Sequence, residues 1–284
     1  MTRVATIPLQ RTLSGAIQRS QQNLGASQLQ LNTGKKAHDY AGLGIDAVRT
    51  LSARSMLSQQ QSYQSVASRV DTTLSLYDAN ITQIDDSLSN LRKELLTALG
   101  TGDSPGMQDL IEGGFADVRA ALNATQAGIP IFAGSQTNDL PMVPQTLADL
   151  AGMAPADVFI NDKVRQSARI GDGVDVEYGV AAGDVGGKLI PAFQTLAAAG
   201  PFGDRLTDAQ KVAIRQAVDE LDAGLTDVRA ANAENGRKQN QVQMMETRAK
   251  DREILLTDVI GSVEDADLGQ VALNISQRQT ILEA

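Results

Sequence analysis

The sequence predicts a mainly α fold. It is an elongated antiparallel coiled-coil bundle formed by the N- and C-terminal arms of the chain, with a small β-rich insert between them. Three observations predict this. From Val70 to Ala98, apolar residues fall at Val70, Leu74, Tyr77, Ile81, Ile84, Leu88, Leu91, Leu95 and Ala98, in unbroken steps of four and three. That is a coiled-coil seam over about four heptads. The spacing returns at Ile214, Val218, Leu221, Leu225 and Val228, and resumes after a polar stretch at Val242, Met245, Ala249, Leu256, Val259 and Val263. Between the two seams, prolines at 130, 141, 144 and 155 and frequent glycines break the helical pattern. One helix cannot bury a seam of this width, so the two seams cover each other.

Composition agrees with a thin bundle. The chain has 284 residues, enough for one large domain or two smaller ones, and its 42% apolar content supplies a core. Aromatic residues are only 3% and Trp is absent, as suits a bundle that buries Leu, Ile, Val and Ala. With no cysteine, disulfides, thiolate metal centres and Cys nucleophiles are excluded. A net charge of -9 argues against nucleic acid as a partner. No apolar run approaches a membrane span, so no membrane insertion is expected. The first residues, MTRVATIPLQ, lack the apolar core of a cleaved signal peptide. Export, if it occurs, is expected by a route that does not read one.

Element by element, residues 1–32 read as a helix after Pro8, with Leu9, Leu13, Ile17, Leu24 and Leu31 on one broad face and Gln, Ser and Asn elsewhere. Such a helix needs a partner. Gly34 marks a turn, and a loop follows through Gly42 and Gly44. Helix resumes near Asp46 to about Gln64, and the heptad helix begins shortly after. It stops at Gly100-Thr101-Gly102-Asp103-Ser104-Pro105-Gly106. Another helix spans about Met107 to Thr125. Strands are expected at 129–132, 158–160, 167–170 and 174–178, the last two joined by Gly171-Asp172-Gly173 as a hairpin. Residues 141–188 form the β-rich insert. Leu189–Ala199 is helical, Pro201–Asp204 is a turn, and Thr207 caps the long C-terminal helix.

Catalytic chemistry is hard to assemble from these residues. His38 is the only histidine, which rules out a multi-His metal site, and beside Asp39 it reads as a solvated loop residue. Gly183-Asp184-Val185-Gly186-Gly187-Lys188 lacks phosphate-loop spacing and reads as a hinge. Glu264, Asp265 and Asp267 follow Gly261-Ser262 and suit the first turn of a new helix, where the dipole favours acids. The polar stretch 231–240 interrupts the second seam. It reads either as a loosened turn or as an exposed contact with a neighbouring subunit. No enzyme activity and no cofactor are expected.

Two segments resemble a known family. Leu29-Gln30-Leu31-Asn32-Thr33-Gly34-Lys35-Lys36 is similar to the signature near the start of bacterial flagellins, and Gly261-Ser262-Val263-Glu264-Asp265-Ala266-Asp267-Leu268 to the one near their end. An amphipathic helix follows the second, as in that family, at Val271-Ala272-Leu273-Asn274-Ile275-Ser276-Gln277. The family has a filament branch and a hook-filament junction branch. Ile131-Phe132-Ala133-Gly134-Ser135-Gln136-Thr137 looks like the junction branch, and so does the insert with Arg169-Ile170-Gly171-Asp172-Gly173. The resemblance therefore favours the junction branch over a filament-forming flagellin.

What it implies is a structural subunit of the extracellular flagellum, secreted by the flagellar type III export system. Residues 1–32 plus 268–284 are expected to be assembly arms, carrying Leu9, Leu13, Ile17, Leu24, Leu31, Leu273 and Ile281. Residues 33–140 plus 189–267 form the helical body, held by Leu74, Tyr77, Ile81, Ile84, Leu88, Leu91, Leu95, Leu221, Leu225 and Val228. Candidate subunit contacts are Asn32, Thr33, Gly34, Asn232, Asn235, Arg237 and Gln239. The implied partners are further copies in a helical homo-oligomer, neighbouring hook-associated protein and flagellin subunits, and an export chaperone on the C-terminal arm. Family members continue to a Leu-rich C-terminus, so the arm ending at Ala284 is expected to be truncated. Outside the family, the competing readings are an adhesin built on the insert and a cytosolic coiled-coil scaffold.

Overall fold

A computed structural model describes the backbone of residues 6–283 and the side chains of residues 10–282. The fold is mainly α: long helices in a bundle, with a small β insert. The chain divides into two compact units. One is drawn from the two chain ends, up to Ser62 and from Ala249 onward; the other is Tyr63–Arg248.

The terminal unit contains α1 (Thr6–Thr33) and α7 (Leu268–Glu283), which pack on each other, with the N-terminal part of α2 (Asp46–Thr101) and the C-terminal part of α6 (Asp208–Glu264). Helix α2 shows no break near Gln64. Tyr63 and Ala67 continue the four-three spacing back from Val70 and are buried, so the seam helix begins earlier than its large apolar residues suggest.

The central unit is organised by the α2 and α6 seams. Leu74, Tyr77, Ile81, Ile84, Leu88, Leu91 and Leu95 on α2 and Leu221, Leu225 and Val228 on α6 are all buried in one core. Helix α3 (Met107–Leu122) and α5 (Ile190–Ala199) close it, with Phe115 and Phe193 edge to face at 5.4 Å. The turn before α3 is tied across the unit, Ser104 N donating to Asp204 O at 2.8 Å and Leu206 N to Gly102 O at 3.0 Å. Thr207 and Gln210 cap α6 reciprocally: Gln210 N donates to Thr207 Oγ1 at 3.2 Å and Thr207 N to Gln210 Oε1 at 3.1 Å.

Helix α6 runs unbroken through 231–240, which corrects the expectation of a loosened turn. The reason lies in spacing. After Val228, positions 232, 235, 239 and 242 keep the four-three step, so Asn232, Asn235 and Gln239 occupy seam positions in polar form. Asn235 is only 2% exposed, which also corrects its reading as an exposed contact.

Short strands lie between α3 and α5, the second pair in the 141–188 insert. β1 (Thr125–Gln126) pairs with β2 (Ile129–Pro130), and β3 (Gln166–Gly171) with β4 (Val174–Tyr178), both antiparallel. The Gly171-Asp172-Gly173 turn joins the second pair, and Gly173 takes φ 65 there. The expected strand at 158–160 is reduced to one bridge, Met142 with Phe159. The expected hinge at 183–188 is instead the short helix α4 (Ala182–Gly186).

Candidate assembly surface

The two segments that resemble the flagellin signatures meet in the terminal unit. Helix α1 ends at Thr33, and Gly34, at φ 69, turns the chain; its amide donates to Gln30 O at 2.9 Å. The strand-like residues that follow lie against the end of α6. Lys36 N donates to Glu264 O at 2.7 Å and Ala266 N to Gly34 O at 2.8 Å, with Lys35 bridging Asp265. Gln30 Nε2 donates to Lys36 O at 2.7 Å and Lys36 Nζ to Ser262 O at 2.7 Å.

Charge closes this clasp. Arg54 on α2 grips Glu264 with both ends of its fork, Nε to Oε1 at 2.8 Å and Nη2 to Oε2 at 2.6 Å. Lys35 Nζ sits 2.6 Å from Asp265 Oδ1 and 3.4 Å from Glu264 Oε2. The Glu264 side chain is 8% exposed. Hydrogen bonds from Arg54 hold its carboxyl below the usual glutamate range; burial opposes them and Lys35 reinforces them. The bond to Asp265 raises Lys35 in turn. Glu264 is thus the last residue of α6, not the first turn of a new helix. Asp267 is the residue that caps α7, accepting from Gln270 N at 3.1 Å. His38 is exposed in the adjoining loop, and Asp39 Oδ1 accepts from Gly42 N at 2.8 Å in a local turn.

The arms pair through few buried groups. Arg278 on α7 donates Nη1 to Asn23 O and, at 2.9 Å, to Ser27 Oγ, and Ser27 and Val271 are buried between the helices. The large apolar residues stay outside. Leu13 is 62% exposed, Ile17 45%, Leu273 58% and Ile281 67%; Leu31 is exposed and Leu24 half-buried. The side chain of Leu9 lies outside the described residues. Asn32 and Thr33 are exposed beside the clasp; Arg237, on α6 in the central unit, is exposed as well. Asn232 and Gln239 are half-buried and bond Thr82 and Ser75 of the same chain, at 3.3 and 3.0 Å.

The third motif, Ile131–Thr137, fastens the insert to the body. Phe132 is buried edge to face on Tyr77 at 4.9 Å, and Tyr77 Oη donates to Ile131 O. Burial pushes the Tyr77 phenol up to about 12. Ala182 N donates to Phe132 O at 2.9 Å. Gly134, at φ 69, packs on Asp162, whose carboxylate accepts from Ser135 Oγ, from Ser135 N at 2.9 Å and from Val164 N at 2.9 Å. Those bonds from Ser135 hold the Asp162 carboxyl low.

Sequence reasoning missed Arg54, Asp162 and Arg278. Each acts on a residue distant in the chain and carries no local pattern. Arg54 alone had a findable signal, an arginine in a polar helix opposite an acid-rich signature.

Comparison of the sequence with models of known protein families and with curated proteins gives no match. Solved structures do match. A protein of Vibrio parahaemolyticus described as a flagellar hook-associated protein aligns over 80% of this chain and 99% of its own, with a TM-score of 0.65 and 17% identity. FlgL of Bacillus cereus aligns over 74% of this chain and 99% of its own, with a TM-score of 0.60 and 15% identity. At these identities the likeness is one of architecture, and this chain has the fold of those two flagellar proteins.

Proposed function

We propose that this chain is a structural subunit of the bacterial flagellum, assembled at the hook-filament junction, where it connects hook-associated proteins to filament flagellin. The observation that carries the reading is the pair of terminal helices that leave Leu13, Ile17, Leu273 and Ile281 exposed. A paired element that does not bury its own apolar residues is an incomplete interface. Further copies, and neighbouring flagellar subunits, complete it. The fold shared with two flagellar proteins over nearly their whole length supports the flagellar setting.

In this reading residues 1–32 and 268–284 are the assembly arms, 33–140 and 189–267 the helical body, and 141–188 the outward domain. The exposed Asn32, Thr33 and Arg237 lie on faces open to neighbours. Assembly is helical, with head-to-tail contacts that need not close. The chain leaves the cell through the flagellar export system, and a chaperone covers the C-terminal arm beforehand in a helix-in-groove mode. The role is mechanical and involves no catalysis.

Immunogold electron microscopy on flagellated cells, with antibody against residues 141–188, tests this. Label in a narrow zone just beyond the hook is expected. Label along the whole filament makes the chain a propeller flagellin. Absence of label on any flagellum overturns the proposal.

A further inference from the structure

Asn235 and Gly236 form the only Asn-Gly pair in the chain. Neither residue is what a buried helical seam asks for. Asn235 is 2% exposed, donates Nδ2 to Leu74 O at 2.9 Å and leaves its Oδ1 buried without a partner, a cost that an apolar residue avoids. Gly236 stands in the middle of the unbroken α6, where glycine favours helix less than alanine does. No neighbour demands it: a Cβ at 236 would meet nothing within 4 Å. Gly224 on the same helix differs, since its Cβ would lie 2.3 Å from Leu189 Cδ2.

The pair has a chemistry of its own. In a flexible chain the Gly236 nitrogen, unhindered because its residue has no side chain, attacks Asn235 Cγ. The N–Cγ bond forms, the Cγ–Nδ2 bond breaks, and ammonia leaves with the amide proton. Water then opens the cyclic imide at either carbonyl, giving aspartate or isoaspartate. No oxidant or reductant takes part. The fold withholds what this step requires. In α6 the Gly236 N–H is committed to Asn232 O by the helical ladder, and the Asn235 amide is held against Leu74 O away from water. We propose that Asn235–Gly236 is a self-modification site, silent in the folded helix and active only while the chain is unfolded, whose product cannot rebuild the central core.

The product is barred by the same position. Aspartate sets a carboxylate against the Leu74 carbonyl, two acceptors facing each other at a buried seam position. Isoaspartate also adds a carbon to the main chain, which breaks the hydrogen-bond ladder of α6. Modification is thus one-way. Chains that stay unfolded are lost to the folded pool, while folded ones are protected by the rarity of opening.

The full chain is incubated at mildly alkaline pH, in parallel in buffer and in guanidinium chloride. Tryptic peptide 230–237, which holds Asn232 and Asn235, is followed by mass spectrometry with fragmentation. Exchange of ammonia for water at Asn235 is expected to be at least about a hundredfold slower in buffer, because the reaction there follows the open fraction. Asn232, followed by Ala233, is the internal reference and should lag behind Asn235 in guanidinium. Aged chains are then refolded by dilution, and a brief protease pulse removes those that stay unfolded. Modified peptide is expected to be depleted from the resistant fraction. Gly236→Ala, aged identically, should refold without that loss. Equal rates in buffer and guanidinium overturn the proposal, as does a resistant fraction as rich in modified peptide as the aged input. Asn235→Asp is the product made without ageing, and a variant that melts like the parent overturns the proposal as well.

Discussion

Gly134 and Asp162 occupy one space. A Cβ on residue 134 would lie 2.1 Å from Asp162 Oδ1 and 2.9 Å from Asp162 O, and the glycine already stands at φ 69. The contact lets the carboxylate collect its bonds from Ser135 and Val164. It turns a glycine from a sequence signature into a requirement of packing between the Ile131–Thr137 segment and the insert. Gly134→Ala is therefore expected to destabilise the chain by about 3 kcal/mol, from left-handed strain plus displacement of Asp162. Thermal unfolding followed by circular dichroism measures this. Gly128→Ala is the matched control: Gly128 has φ 83 and open space around it, so it should lose only the strain.

Glu264 gives an acid limb to stability. Its folded carboxyl is held below its ordinary value of 4.5, chiefly by Arg54. A depressed carboxyl contributes stability that is present above the unfolded value and lost as pH falls through the folded one. Melting temperature is thus expected to decline below about pH 4.5 in the parent. Glu264→Gln should flatten that decline while costing about 1–2 kcal/mol at neutral pH, because two charge-assisted bonds are lost. An equally steep acid limb in the variant would assign the effect to other carboxylates.

Tyr77 gives the opposite limb. Its phenol rises from an ordinary 10.0 to about 12, because burial disfavours the phenolate. The contribution is complete below pH 10 and disappears as pH climbs toward 12. Tyr77→Phe keeps the edge-to-face contact with Phe132 but removes the bond to Ile131 O. It is expected to cost about 1 kcal/mol at pH 7 and to lessen the loss of stability across the alkaline window. Urea midpoints at pH 7 and through that window, for parent and variant, measure both.

The parts of this fold that were legible in the sequence are those encoded by local repetition. The Val70–Ala98 seam was readable because each step is apolar and local. The continuation of α6 through Asn232, Asn235 and Gln239 was not, since periodicity judged on apolar residues stops where the seam turns polar although the spacing does not. Glu264 was misread for a related reason. Gly261 and Ser262 look like an interruption, but in the helix Ser262 Oγ bonds back to Val259 O at 2.8 Å and the turn closes. What Glu264 does depends on Arg54, far away in the chain, and no local pattern carries that pairing. The flagellin-like signatures marked both places without revealing that they touch.

The exposed arms separate assembly from folding. Leu13, Ile17, Leu273 and Ile281 are each at least 45% exposed, so replacing them by Ser removes little buried surface. Each such change is expected to alter the stability of the chain by no more than about 0.5 kcal/mol. Leu88→Ser, at a fully buried seam position, should cost about 3 kcal/mol or more. If the arms are the assembly surface, the pattern reverses for association. The four arm substitutions together should abolish concentration-dependent growth in sedimentation velocity, while leaving far-ultraviolet dichroism and melting close to the parent. Arm variants that melt as early as Leu88→Ser would mean that these residues hold the subunit together. Arm variants that associate like the parent would place the assembly surface elsewhere on the chain.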